Sequence, residues 1–445
     1  VIRGKARRIG IRLVGAALVA AVAVTFGGCG GPLSNISNPF AQKEEILPGE
    51  RIAVITDPGQ FNADQITSTP VSLPAARTNA SWSQPGGVAS NNLGHLALNG
   101  SLRKVWSVDA GTGSSSSGRL SAVPLVYGGK VFTLDAAGNV SAFSSGSGAR
   151  VWKISLTPED ESSKEGFGGG LAIEGNRLYV TTGYGTVVAL DAGSGTVQWN
   201  KSMGEPIRNS PTAAGGKVYF VSTANTLHAL DGSTGEQLWK ARGLPQNATL
   251  LSNASPAVAN GLVVAPFPAG DVAAYQAGTG KPAWTDSLSR TSETSASGIL
   301  GDPARPVVDR GVVYAVSHGG RMIATSASTG ARVWTRNLAS TQMPWIAGEN
   351  IFVVDVAGRL MALARKDGKV RWVSQLPEST RWSGPVLAGS RVWVVSADGL
   401  LVGADARTGD LGSQIDLNTD VFVTPVVAGG RMYILSDDAD LIALN

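Results

Sequence analysis

Ala229-Leu-Asp-Gly-Ser-Thr-Gly-Glu-Gln-Leu-Trp239 is one copy of a unit that recurs through the chain. Ala142-Phe-Ser-Ser-Gly-Ser-Gly-Ala-Arg-Val-Trp152 and Ala189-Leu-Asp-Ala-Gly-Ser-Gly-Thr-Val-Gln-Trp199 precede it. Later copies run from Ala274 to Trp284, Ala324 to Trp334 and Ala362 to Trp372. A degenerate copy, Gly403 to Ser413, keeps Asp405 and Thr408-Gly409 but has no tryptophan. With Trp106 added, successive tryptophans lie 38 to 50 residues apart. Glycine stands four residues before the end of every copy, at Gly148, Gly195, Gly235, Gly280, Gly330, Gly368 and Gly409. A tight turn that needs positive φ explains a glycine held at one position, because only glycine adopts that conformation without steric cost.

The residues around the unit repeat too. A proline opens most periods: Pro124, Pro211, Pro256, Pro306, Pro344, Pro385 and Pro425. Proline is tolerated at the first residue of a strand, where its missing N–H breaks no ladder. A glycine turn, an alternating strand such as Lys217-Val-Tyr-Phe-Val-Ser222 and a third strand such as Thr226-Leu-His-Ala-Leu230 follow. The Ser/Thr-Gly turn then leads to a fourth strand carrying the tryptophan. Four antiparallel strands in about 44 residues make a propeller blade. Strand pairs starting near Lys130, Arg177, Lys217, Leu262, Val312, Ile351, Arg391 and Arg431 predict eight blades. The eighth copy reaches Asn445 at the end of its third strand, while a spare fourth-strand segment, Arg103-Lys-Val-Trp-Ser-Val108, lies before the first copy. The expected fold is therefore all-β: an eight-bladed propeller over 101–445, closed by an N-terminal strand that leaves no gap in the ring. Trp106, Trp152, Trp199, Trp239, Trp284, Trp334 and Trp372 are its structural repeat residues. Each contributes roughly 4–6 kcal/mol of apolar burial before entropic costs.

Composition agrees. Hydrophobic residues at 43% and charged residues at 16% exclude wholesale disorder. The 57 glycines and 22 prolines among 445 residues favour many short strands. Cys29 is the single cysteine, which excludes an intramolecular disulfide and a cysteine-cluster zinc site.

The N-terminus reads as a targeting segment. Arg3, Lys5, Arg7, Arg8 and Arg12 precede an uncharged run over 13–26, too short to span a bilayer comfortably. Gly27-Gly28-Cys29 then suggests a lipobox, with residues 1–28 as signal peptide and Cys29 as the lipidated residue. Removing five basic and no acidic residues takes the net charge from +4 to −1. The basic balance thus belongs to the leader, and nucleic-acid partners are excluded. Residues 29–100, rich in Ser, Asn, Pro and Gly, are expected to form a mostly irregular lipidated tether.

Carboxylates and histidines give no catalytic set. Asp191, Asp231 and Asp405 share one repeat position, where turn capping explains them. His95, His228 and His318 lack metal-ligand spacing, so no metal and no catalytic residue is expected.

The Ala-x-Asp-x-x-Thr-Gly-x-x-x-Trp units resemble the tryptophan-docking repeats of the pyrroloquinoline-quinone (PQQ) propeller superfamily. Within it, the lipobox, tether, eight blades and closing strand are similar to the family of BamB, the outer-membrane protein assembly factor. That resemblance implies a scaffold lipoprotein without cofactor, anchored at the periplasmic face of the outer membrane. Its implied partners are the POTRA domains of BamA, other subunits of the β-barrel assembly machinery and unfolded outer-membrane β-barrel clients. Relatives contact BamA through a leucine-bearing loop after the third blade's tryptophan and a hairpin in the next blade. Carried onto this chain, those positions are Leu250, Leu251, Ser252 and Asn253, with Phe267 and Asp271 in the hairpin. The arginine that relatives carry in that loop is missing here. The alternative branch, PQQ-dependent quinoprotein dehydrogenases, implies a quinone and a calcium ion near the propeller axis, and commonly a vicinal cysteine pair that this chain lacks. A generic periplasmic propeller scaffold for another envelope complex is the other alternative.

Overall fold

The structure, a computed structural model, describes residues 70–99, 101–116, 118–162, 166–243, 253–268, 270–288 and 303–445. Cys29, the leader and most of the proposed tether lie outside the described residues, as do Leu250, Leu251 and Ser252. The described strands form eight four-stranded antiparallel sheets, each a blade. Blade 1 comprises Leu125–Tyr127, Lys130–Leu134, Asn139–Ser144 and Arg150–Ser155, and blades 2 to 7 repeat this order. Blade 8 takes Val426–Ala428, Arg431–Leu435 and Asp440–Leu444 from the end of the chain and Lys104–Asp109 from before blade 1. Trp106 lies opposite Ala443 in that closing pair, and Arg103 and Asn445 exchange both backbone hydrogen bonds at 2.9 Å. The expected closure of the ring is what the chain does.

Register explains the repeated alanine. In blade 2, Tyr179, Ala189 and Trp199 stand side by side on the second, third and fourth strands. The small central residue leaves room for the two rings, whose centroids are 6.0 Å apart. Phe132 with Trp152, Tyr219 with Trp239, Tyr314 with Trp334 and Phe352 with Trp372 repeat the arrangement. A bulge directly after the alanine, as between Ala189 and Leu190, re-aims the fourth strand.

The tryptophans also join the blades. The indole N–H of Trp199 donates to Gly232 in the turn of blade 3, at 3.1 Å. Trp239 reaches Ala277, Trp284 reaches Ala327, Trp334 reaches Arg365 and Trp372 reaches Ala406, all by the same bond. The carboxylates of Asp191, Asp231 and Asp405 accept amide hydrogens within their own turns, which bears out the capping role.

One expectation needs correction. Residues 70–99 are irregular, but they are not a free tether: Trp82, Leu93 and Leu96 are almost wholly buried. This segment bonds to the innermost strand of one blade after another. Asn79 meets Gly429 of blade 8, Trp82 meets Val126 of blade 1 and Ser83 meets Ile173 of blade 2. Gln84 bonds both atoms of its amide to Ala213 of blade 3. Ala89 and Ser90 accept from Val258 and Val308 of blades 4 and 5. Gly94 accepts from the Trp345 indole of blade 6, and Leu96 bonds Leu387 and Gly389 of blade 7. The segment is a collar that visits all eight blades in ring order. Trp82 and Trp345 stack across its middle, with centroids 6.0 Å apart. A backbone with no ladder of its own escapes periodicity; the apolar residues of 82–98 are its only trace in the sequence.

Candidate functional site

The collar bonds to the C-terminal parts of the inner strands, as at Ile173 and Leu387. At the opposite end, the residues just before the inner strands surround an open cavity of about 480 Å³. Every blade contributes to its wall. Four of the contributions are arginines: Arg119 of blade 1, Arg208 of blade 3, Arg305 of blade 5 and Arg381 of blade 7. The chain thus sets one arginine ahead of the inner strand in alternate blades. No acidic residue lines the cavity among the described residues.

Two phenylalanines hold three of these cations. Arg208 lies 4.1 Å over the ring of Phe167, and Arg119 and Arg381 lie 4.6 and 3.5 Å from the ring centroid of Phe422. Arg381 also donates to the Phe422 carbonyl at 3.1 Å. Arg119 and Arg381 both act on Asp437, which lies outside the lining; burial, the largest influence, nonetheless pushes the Asp437 carboxyl up. Among the described residues no acid acts on Arg305. Its Nε is enclosed without an acceptor, and burial pushes its pKa down to about 10. The Nε of Arg208 is likewise enclosed and unpaired.

Asn253 builds the frame between these cations. Its side-chain oxygen accepts from the Ser210 amide at 2.7 Å, and its nitrogen donates to the carbonyls of Ser121 and Gly169 at 2.8 Å. One side chain thereby ties blades 1, 2, 3 and 4 at the axis. This differs from the expected place of Asn253 in a partner-binding surface, because all its hydrogen-bonding capacity is used inside the protein.

The hairpin residues differ too. Phe267 is 1% exposed and packs edge-on against Tyr275 within the core between blades 3 and 4. Asp271 is 8% exposed opposite Ser287, and burial pushes its carboxyl above the usual range. Both fall on strand ends that pair tightly, and neither offers a surface to a partner. Phe267, between Pro266 and Pro268, is a core position at a strand end.

His228 is buried, stacked on Phe220, with Nε2 2.9 Å from Glu205. His95 links the collar to blade 7: the Ser390 amide donates to Nε2 at 3.0 Å, which leaves Nδ1 to donate to the Pro74 carbonyl at 2.7 Å. Both are packing residues. No group of three or more His, Cys, Asp or Glu comes together among the described residues. The calcium ion implied by the dehydrogenase alternative requires carboxylate ligands, and a cavity lined by four arginines does not fit it.

Residues 87–166, 136–374 and 372–445 match a protein family described as outer membrane protein assembly factor BamB. The BamB of Shewanella oneidensis is 27% identical over 74% of this chain and 85% of its own length. That of Yersinia pestis is 27% identical over 77% of this chain and 88% of its own. An uncharacterized protein of Rickettsia prowazekii is 27% identical over 59% of this chain and 64% of its own. Among solved structures, BamB from Moraxella catarrhalis superposes with a TM-score of 0.67 at 20% identity, covering 78% of this chain and all of that one. A quinohemoprotein alcohol dehydrogenase from Comamonas testosteroni has the same TM-score at 14% identity, over 83% of this chain and 81% of that one. At those identities the superpositions speak for the fold alone.

Proposed function

The chain belongs to the outer membrane protein assembly factor BamB family, and from that premise we propose that it is a non-enzymatic scaffold lipoprotein of the β-barrel assembly machinery. In this reading Cys29 carries the lipid anchor at the periplasmic face of the outer membrane. The propeller docks on the POTRA domains of BamA and, with the other subunits, assists assembly and insertion of outer-membrane β-barrel proteins. The observation that carries the reading is a family match running from the collar through the last blade. The cationic cavity, with no carboxylate among its described lining residues, supports a scaffold over a calcium-dependent quinoprotein.

The proposed contact with BamA is the loop over 244–252, through Leu250, Leu251 and Ser252. Buried Phe267 and Asp271 do not take part. Asn253, where the chain leaves that loop, is anchored in four blades, and a loop rooted in a rigid frame suits recognition. Adjacent apolar anchors in an otherwise polar loop are typical centres of binding energy.

Affinity purification of the tagged, full-length protein from detergent-solubilised envelope tests the reading. BamA is expected as the main co-purifying protein. A different envelope complex in its place would make this a scaffold for another assembly. Mass spectrometry of the mature N-terminus tests the anchor: a diacylated, N-acylated Cys29 is expected, and an unmodified cysteine would refute it.

A further inference from the structure

The arginine-lined cavity has no role in the scaffold reading. Four cations converge on one space from alternate blades, and no described carboxylate lines it. Like charges in such proximity repel, and the repulsion is strongest where water is displaced. Two of the four guanidinium groups have an enclosed Nε that no protein atom satisfies. Exposed arginines avoid both penalties, as do arginines paired with acids. Arg208 and Arg305 bear the cost of enclosure, and no described carboxylate in the cavity wall relieves it.

We infer that the cavity is a binding site for a small, multiply charged anion bearing carboxylate or phosphate groups. The guanidinium fork presents parallel N–H donors whose spacing matches two oxygens of a carboxylate or phosphate. The volume of about 480 Å³ is in the range of small-molecule sites and far below that of a protein segment with its own fold. The donors are also pre-set. Phe167 and Phe422 hold the planes of Arg208, Arg119 and Arg381, and Asn253 fixes the strands between them. The collar, with buried Trp82 stacked on buried Trp345, binds the inner strands away from the arginines.

The test uses the intact purified protein at constant ionic strength, with inorganic pyrophosphate and citrate as probes. Isothermal titration should give saturable one-to-one binding of at least one probe, and that probe should raise the melting temperature. A preference for pyrophosphate identifies phosphate chemistry, and a preference for citrate identifies carboxylate chemistry; both support the site. Arg208→Gln with Arg305→Gln should weaken binding at least about tenfold. Without probe, the same variant should melt at the wild-type temperature or above, because enclosed unpaired charges are removed. If that variant does not fold, Arg119→Gln at the exposed rim should still weaken binding without touching the enclosed wall. No binding of either probe up to about 10 mM would overturn the inference. So would equal affinity in wild type and variants, which would mean non-specific association.

Discussion

The turn of blade 3 sits on the tryptophan of blade 2: a Cβ on Gly235 would lie 2.7 Å from Cε3 of Trp199. Gly235 therefore answers two demands at once. Its φ is +72°, and its missing side chain lets the turn close on the indole while Gly232 accepts the indole N–H. Gly148, Gly195, Gly280, Gly330, Gly368 and Gly409 stand on Trp106, Trp152, Trp239, Trp284, Trp334 and Trp372 in the same way.

Replacement of Gly235 separates the two demands. Gly235→Ala is expected to destabilise the protein by about 2 kcal/mol or more, from positive-φ strain together with the clash. Gly215→Ala is the control, since its φ is +62° but nothing lies within 4 Å of its Cβ position. It should cost about 1 kcal/mol. Urea unfolding measures both, and equal costs would deny the indole contact any weight.

The same contact explains the one repeat without a tryptophan. Ser413 on the fourth strand of blade 7 faces blade 8, whose third and fourth strands, Asp440–Leu444 and Lys104–Asp109, come from distant parts of the sequence and are not joined by a Ser/Thr-Gly turn. An indole at 413 would have no glycine to receive it. Trp393 on the second strand fills the space instead, packed so close that a Cβ on Gly403 would come within 2.7 Å of it. The blades, their number and their closure were legible because this contact must be repeated at every interface. The collar was not, because a segment that bonds each blade once carries no period. The arginine set was not, because Arg119, Arg208, Arg305 and Arg381 are far apart in sequence and meet only at the axis. The burial of Phe267 was not legible because a hairpin position carried over from relatives does not say which way its side chain faces.

The collar and the closing strand make separable contributions. A chain lacking residues 1–102 should lose stability but stay monomeric, since Lys104–Asp109 still completes blade 8. One lacking residues 1–109 should aggregate through the bared strand Asp440–Leu444. Size-exclusion chromatography distinguishes them. In the intact protein, Trp82→Ala should cost about 3–5 kcal/mol, the usual loss for truncating a buried tryptophan.

Asp271 gives a pH dependence of known sign. Burial raises its pKa in the folded protein above the unfolded value of 3.8. Its contribution to stability is therefore most favourable below 3.8 and declines as pH rises through the folded-state pKa. Asp271→Asn should raise the melting temperature at pH 7 and have less effect at pH 4. A variant that melts lower at pH 7 would show that the bond with Ser287 outweighs the burial of the charge.

The scaffold claim is tested most directly by titrating purified POTRA domains of BamA with the wild-type protein and with the double variant Leu250→Asp, Leu251→Asp. Wild type should bind saturably. The variant should bind at least roughly thirtyfold more weakly, the factor for 2 kcal/mol, with an unchanged melting temperature. No binding by wild type would contradict docking on BamA, and unchanged affinity with a lowered melting temperature would mean that these leucines belong to the core and the interface lies elsewhere.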